Sequence, residues 1–209
     1  MTHIDHSGKM FVMRIFIAVL ILIFSLQTPS QAEDIRDFQI EGMSIGDSLL
    51  DYFSEKEIKK AKRYDHTNTS WKSDKMFQLR TYKKGPYTEI MFSLKKNDKK
   101  YIIYRISAII MMGDNIQDCY SKQNEIASEL QNLFPDIKKK EKTYSHRGDK
   151  SGKSKIKAVY FLLNNQVNLS DKISVDCYDW SKKMKYGDNL RLVIASAESR
   201  DWIVNRAFK

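Results

Sequence analysis

Few residue types in this chain could do chemistry, and their spacing favours structure over catalysis. Its two cysteines are Cys119 and Cys177. Cys177 follows Ile173 and Val175 at period two, so it shares their face of a strand. Cys119 falls on the apolar face of a predicted helix, so two inward-facing thiols on packed elements could meet in a disulfide. The alternative is two buried free thiols. Of the four histidines, His66 and His146 lie in polar stretches far apart, and neither belongs to a metal-ligand spacing. A Cys–His hydrolase needs a free thiol in a nucleophile motif, and neither cysteine lies in one.

The carboxylates Asp47, Asp51 and Glu55 are spaced by four, with Glu57 close by. On a continuous helix they form one acidic stripe, which reads as a water-facing surface. Asp176 and Asp179 flank Cys177 on opposite faces of a strand and make a poor catalytic pair. Gly148 to Ser154, GDKSGKS, has three residues where a phosphate-binding loop needs four, and it lacks the strand and helix that loop requires. No nucleotide, metal or other cofactor is therefore expected. Arg147-Gly148-Asp149 spells an adhesion tripeptide but reads as part of a polar loop. The aromatics Trp71, Tyr82, Tyr87, Tyr101, Tyr104, Tyr178 and Trp180 lie in or near strands among lysines. Such residues can stack sugars or bases, or simply pack a core. Trp71, Tyr82, Tyr87, Tyr101 and Trp180 are taken as the candidate ligand surface. Asn68-Thr69-Ser70 and Asn168-Leu169-Ser170 fit the glycosylation pattern, which matters only in a eukaryotic secretory pathway.

The 209 residues carry a net charge of +10. Lys9 and Arg14, the apolar run Ile15 to Leu26, and the small residues Ser30 and Ala32 read as a signal peptide, residues 1–32, with Met10 or Met13 as alternative starts. The run is about 12 residues, short of the roughly 20 that span a bilayer. An uncleaved anchor is the alternative. Residues 33–209 are then a single exported domain, periplasmic or secreted. Its excess charge is mostly lysine, spread among acids. That pattern suits a solvated surface and leaves attraction to anionic polymers open.

The elements that must position these residues follow from periodicity. Ile116, Cys119, Tyr120, Ile126, Ala127, Leu130, Leu133 and Phe134 recur at steps of three and four, predicting a helix over 114–134 that Pro135 ends. Ser44 with Asp47, then Ser54 with Glu57, offer helix starts, giving two helices or one long one. Residues 34–41 read as a short strand or an extended lead-in. Strands are expected at 76–82, 87–94, 101–112, 156–163, 172–180 and 190–196, with turns at Gly85-Pro86, Asn97-Asp98 and Asn164-Asn165. Residues 138–154 read as a flexible polar loop, and residues 198–206 as a last turn of helix docking Trp202. The fold class is α+β: a mostly antiparallel sheet with helices packed on one face. Its element order suggests two helix-then-meander halves.

The stretch Ile40-Glu41-Gly42-Met43-Ser44-Ile45-Gly46-Asp47-Ser48-Leu49 resembles the entry to the first helix in small envelope proteins of the SmpA/OmlA family. The element order is similar to that family and to the β-lactamase-inhibitor-like fold. This chain lacks the lipidated cysteine of the former. The resemblance implies a non-catalytic envelope scaffold or binder and assigns no functional residues. The expectation is an exported binding or scaffold protein whose partner is an envelope protein or an anionic envelope polymer. The alternatives are a small hydrolase without a recognisable motif and a nucleic-acid binder.

Overall fold

Among the described residues, seven strands form one antiparallel sheet: β1 (Met76–Thr81), β2 (Glu89–Lys95), β3 (Ile103–Gly113), β4 (Lys139–Ser145), β5 (Lys155–Leu163), β6 (Asp171–Asp179) and β7 (Asp188–Ala195). Three α-helices among the same residues accompany them: α1 (Glu55–Tyr64), α2 (Ile116–Leu133) and α3 (Ala197–Asn205). The computed structural model describes residues 34–64, 75–81, 86–113, 115–163 and 170–207. The leader, His66, Trp71, Tyr82, Gly85, the 164–165 turn, and Asn68 and Asn168 lie outside the described residues.

The strand order is β1-β2-β3-β7-β6-β5-β4. Two meanders, β1 to β3 and β4 to β7, meet where β3 pairs with β7, with Ile106 opposite Ile194 and Ala108 opposite Leu192. One face gathers Ile90, Phe92, Ile106, Ala108, Val159, Phe161, Ile173 and Ile194 in the main core, together with Ile58 of α1 and Ala127 of α2. Strand alternation therefore sends the other residues of these strands to the opposite, inner face.

Helix α2 starts at an Asn115 cap whose side chain accepts from the Gln117 N–H. It lies on the helical face and is fixed there in two ways. Cys119 and Cys177 form a disulfide with Cα atoms 5.9 Å apart. One turn on, the buried Gln123 donates Nε2–H bonds to the carbonyls of Lys157 and Val175, at 2.8 and 2.7 Å. The amide thus reaches second lone pairs of carbonyls on two neighbouring strands.

Local expectations are corrected in three stretches. Residues 44–53 form no α-helix, only a 3-10 turn at Leu49–Asp51. Their backbone is engaged elsewhere: Gly46 and Leu49 donate to the carbonyls of Ile103 and Tyr101, while Ile103 donates to Asp47. Asp47 accepts from Ser44 N–H at 2.7 Å and from the Tyr52 hydroxyl at 2.7 Å, so the continuous acidic stripe does not exist. Helix α1 begins only after Ser54, which with Glu57 forms a reciprocal cap. Residues 139–145 are the edge strand β4, exposed along its whole length, rather than loop. Lead-in residues 35–37 also make a 3-10 turn rather than a strand.

The sheet is strongly curled. A flat seven-stranded sheet would hold its edges about 29 Å apart, whereas α3, nine residues long, is only about 13.5 Å in length. Yet Trp202 of α3 packs with Met76 of edge strand β1, and the Val204 carbonyl accepts from Arg147, beside edge strand β4, at 2.8 Å. The two edges therefore bend toward one another around the inner face, and α3 crosses one end of it.

Removing the disulfide with Cys119→Ser and Cys177→Ser frees residues 58 positions apart, which the chain-entropy relation values at about 4 kcal/mol. The expected outcome is a urea midpoint lowered accordingly. Thiol titration of the unfolded parent chain should find no thiol before reduction and two after.

Candidate functional site

The inner face is built from side chains that alternation turns away from the core. Register places Ser93, Arg105, Ala195 and Lys172 in one row across β2, β3, β7 and β6. The next rows hold Met91, Ser107, Val193 and Ser174, then Glu89, Ile109, Arg191 and Asp176. A last row holds Met111, Asn189, Tyr178, Ile156 and Tyr144. Side chains of these rows line a groove of about 1360 Å³.

Charge along the groove is uneven. Arg105, Lys172, Arg191 and Arg200 line its middle and its α3 end, with the carboxylates of Asp176 and Glu89 in the row of Arg191. Arg191 has partners: Nε donates to Asn189 Oδ1 at 2.8 Å and its guanidinium lies 3.8 Å from the Tyr178 ring centre. Arg200 donates to the Ser170 carbonyl. Among the described residues, Arg105 has no hydrogen bond or ion pair, and Lys172 has only the Tyr160 ring, 5.6 Å away. Desolvation pulls Arg105 below its usual range, Tyr178 and Asp176 opposing and Arg191 adding to it. Desolvation does the same to Lys172, opposed by Asp176 and reinforced by Arg105 and Arg200. Asp176 is 2 % exposed, and its Oδ1 accepts no hydrogen bond. Burial raises the Tyr144 hydroxyl and Asp176 adds to that, while Arg105 acts against it, although β7, β6 and β5 separate their strands. That Tyr144 and Arg105 line one groove is a second mark of the curl.

The other end of the groove is aromatic. Trp180 packs on His146 with ring centres 4.5 Å apart and on Tyr186 at 4.9 Å, with Tyr178 at 5.7 Å. The Trp180 Nε1–H has no acceptor. His146 accepts from Gly148 N–H through Nδ1 at 3.1 Å. Burial, then Arg191, lower its pKa, so the ring is neutral at pH 7. Of the aromatic candidates, Trp180 lines the groove. Tyr87 is buried in the main core and Tyr101 packs against that core.

The hairpin loop after β4 is organised by Asp149, 5 % exposed. Its carboxylate accepts from the hydroxyls of Ser154, Ser151 and Ser181 at 2.6, 2.7 and 2.9 Å, and from the Ser154 and Ser151 N–H groups at 2.9 Å each. Those hydroxyl and amide bonds hold the carboxyl well below its usual range against the opposing effect of burial. The Asp149 of the tripeptide is thus committed internally, and the loop is an Asx-type turn rather than a phosphate cradle.

Arg105, Lys172, Arg191 and Arg200 were not singled out by motif. The available signal was a lone charge inside an otherwise apolar strand: Arg105 among YIIYRISAII, Arg191 among NLRLVIA. Among the described residues no group of three or more His, Cys, Asp or Glu side chains could hold a metal ion. No family model, curated protein or solved structure matches the chain.

Two predictions arise from these charges. Lys172→Met removes a desolvated cation that lacks an ion pair, so it should stabilise the free protein by about 1 kcal/mol in urea unfolding. Asp149 has a depressed folded pKa, so its stabilisation is full above the unfolded carboxylate value near 3.9 and is lost as pH falls toward the folded value. Thermal melts below about pH 4 should fall steeply for the parent and less steeply for Asp149→Asn, which starts from a lower melting temperature.

Proposed function

We infer that the protein is an exported, non-enzymatic binding protein of the cell envelope that holds an anionic ligand against the inner face of its curled sheet. The observation that carries this reading is the desolvated pair Arg105 and Lys172, neither of which has an ion-paired carboxylate. Both side chains are part-buried around Asp176, which leaves an excess of positive charge that a bound anion would offset. A solvated lysine surface needs no such arrangement. The disulfide is compatible with an oxidising compartment, and the likeness at residues 40–49 to envelope proteins supports the same setting. The charge of the groove favours an anionic envelope polymer, or a piece of one, over an envelope protein as the partner.

The test is tryptophan fluorescence titration with hexaglutamate, trigalacturonate and tripolyphosphate at low and high salt, with Trp180→Phe to assign the signal. At least one anion should bind, weaken with salt, and lose tenfold or more in affinity in the Arg105→Met, Lys172→Met double variant. Binding that the double variant leaves unchanged would assign it to the outer lysines and overturn the reading.

A further inference from the structure

The groove carries more than positive charge. Its unsatisfied polar atoms are spread along its length and are of both kinds. Asp176 Oδ1, buried in the middle row, needs a donor, and Trp180 Nε1–H, at the aromatic end, needs an acceptor. Ser174 and Ser93 are fully buried on the same face, and neither hydroxyl has a partner. From Lys172 to Tyr178 along β6 is six residues, about 20 Å at strand spacing. The site is thus an elongated trough with cations at one end, a buried carboxylate midway, and the faces and edges of clustered aromatic rings at the other.

Resting on the anion-binding reading above, we propose that the ligand is an acidic oligosaccharide. Its carboxylate or phosphate group is held by Arg105 and Lys172, one of its hydroxyls donates to Asp176, and a sugar ring packs against Trp180. Hydroxyls both donate and accept, so a single ligand type satisfies Asp176 Oδ1 and Trp180 Nε1 together. An acyl chain would fill the same volume and leave these atoms orphaned, which is unfavourable. Apolar C–H faces of a sugar suit an indole ring, and Arg guanidinium groups pair in two-pronged fashion with carboxylate or phosphate. The buried Asp176 carboxylate between these cations is also explained, since it repels a ligand that is anionic along its whole length and selects one with hydroxyls between its charges.

The experiment is isothermal titration of the oxidised protein with five probes. Trigalacturonate and phosphorylated maltotriose carry the two kinds of acid on a sugar. Maltotriose is the neutral sugar, hexaglutamate the anion without sugar, and laurate the anionic chain. The expected result is that one of the two acidic sugars binds at least tenfold more tightly than the other three probes. Which of them binds tells carboxylate from phosphate. Lys172→Met and Asp176→Asn should each weaken that binding tenfold or more, with near-ultraviolet circular dichroism unchanged. If either variant fails to fold, Trp180→Ala and Arg105→Lys serve in its place, each again expected to weaken binding. Hexaglutamate or laurate binding as tightly as the acidic sugars, through Arg105 and Lys172, overturns the saccharide and leaves the anion-binding reading standing. Maltotriose binding equally well overturns the requirement for acid. Failure of every anion to bind overturns both readings.

Discussion

Pairing of β3 with β7 is the constraint on which the rest of the structure depends. Each meander alone has one good face and two unpaired edges. Joining them at Ile106–Ile194 and Ala108–Leu192 makes a single sheet broad enough to curl, and the curl is what creates an inside. The apolar half of each of these strands closes the core under α1 and α2. The polar half is then forced to face itself across the bend, where Arg105, Arg191 and Asp176 would otherwise be ordinary surface residues of a flat sheet. Seen this way, core and groove are two outcomes of one ladder.

Helix α2 gives the second meander its rigidity. The disulfide to Cys177 and the Gln123 bonds to Lys157 and Val175 lie a turn apart on the helix. They fix β5 and β6 on the side away from the groove. Asp176 lies next to Cys177, and its side chain points to the other face. A groove whose floor is cross-linked from behind keeps its geometry without investing groove side chains in support.

Most elements were legible in the residue pattern because core strands alternate and α2 keeps a helical period, with Asn115 and Pro135 bounding it. Even the cysteine pairing was readable from the faces of the two elements. The failures have physical reasons. β4 is an edge strand exposed throughout, so nothing selects apolar residues at alternate positions, and KKEKTYS carries the lysines that edges use against mispairing. Residues 44–53 have helix-like composition, but their amides are taken by Tyr101 and Ile103, and Gly46, at φ +94°, adopts a turn that a helix forbids. The groove was least legible. A sequence shows that Arg105 faces opposite to Ile106, but not that Tyr144, several strands away, bends round to line the same groove.

The strand order has a consequence for how the chain reaches this state. β7 is the last strand to be made, yet it occupies the centre of the sheet. While the chain is being synthesised, β1 to β3 can assemble first, and β3 must then wait with its inner edge bare until β7 arrives. Contacts between segments so far apart in sequence are slow to form, and an uncovered apolar edge invites pairing with the wrong chain. The acquisition of the native state is therefore a race between the completion of one molecule and the association of two, and the final strand decides it.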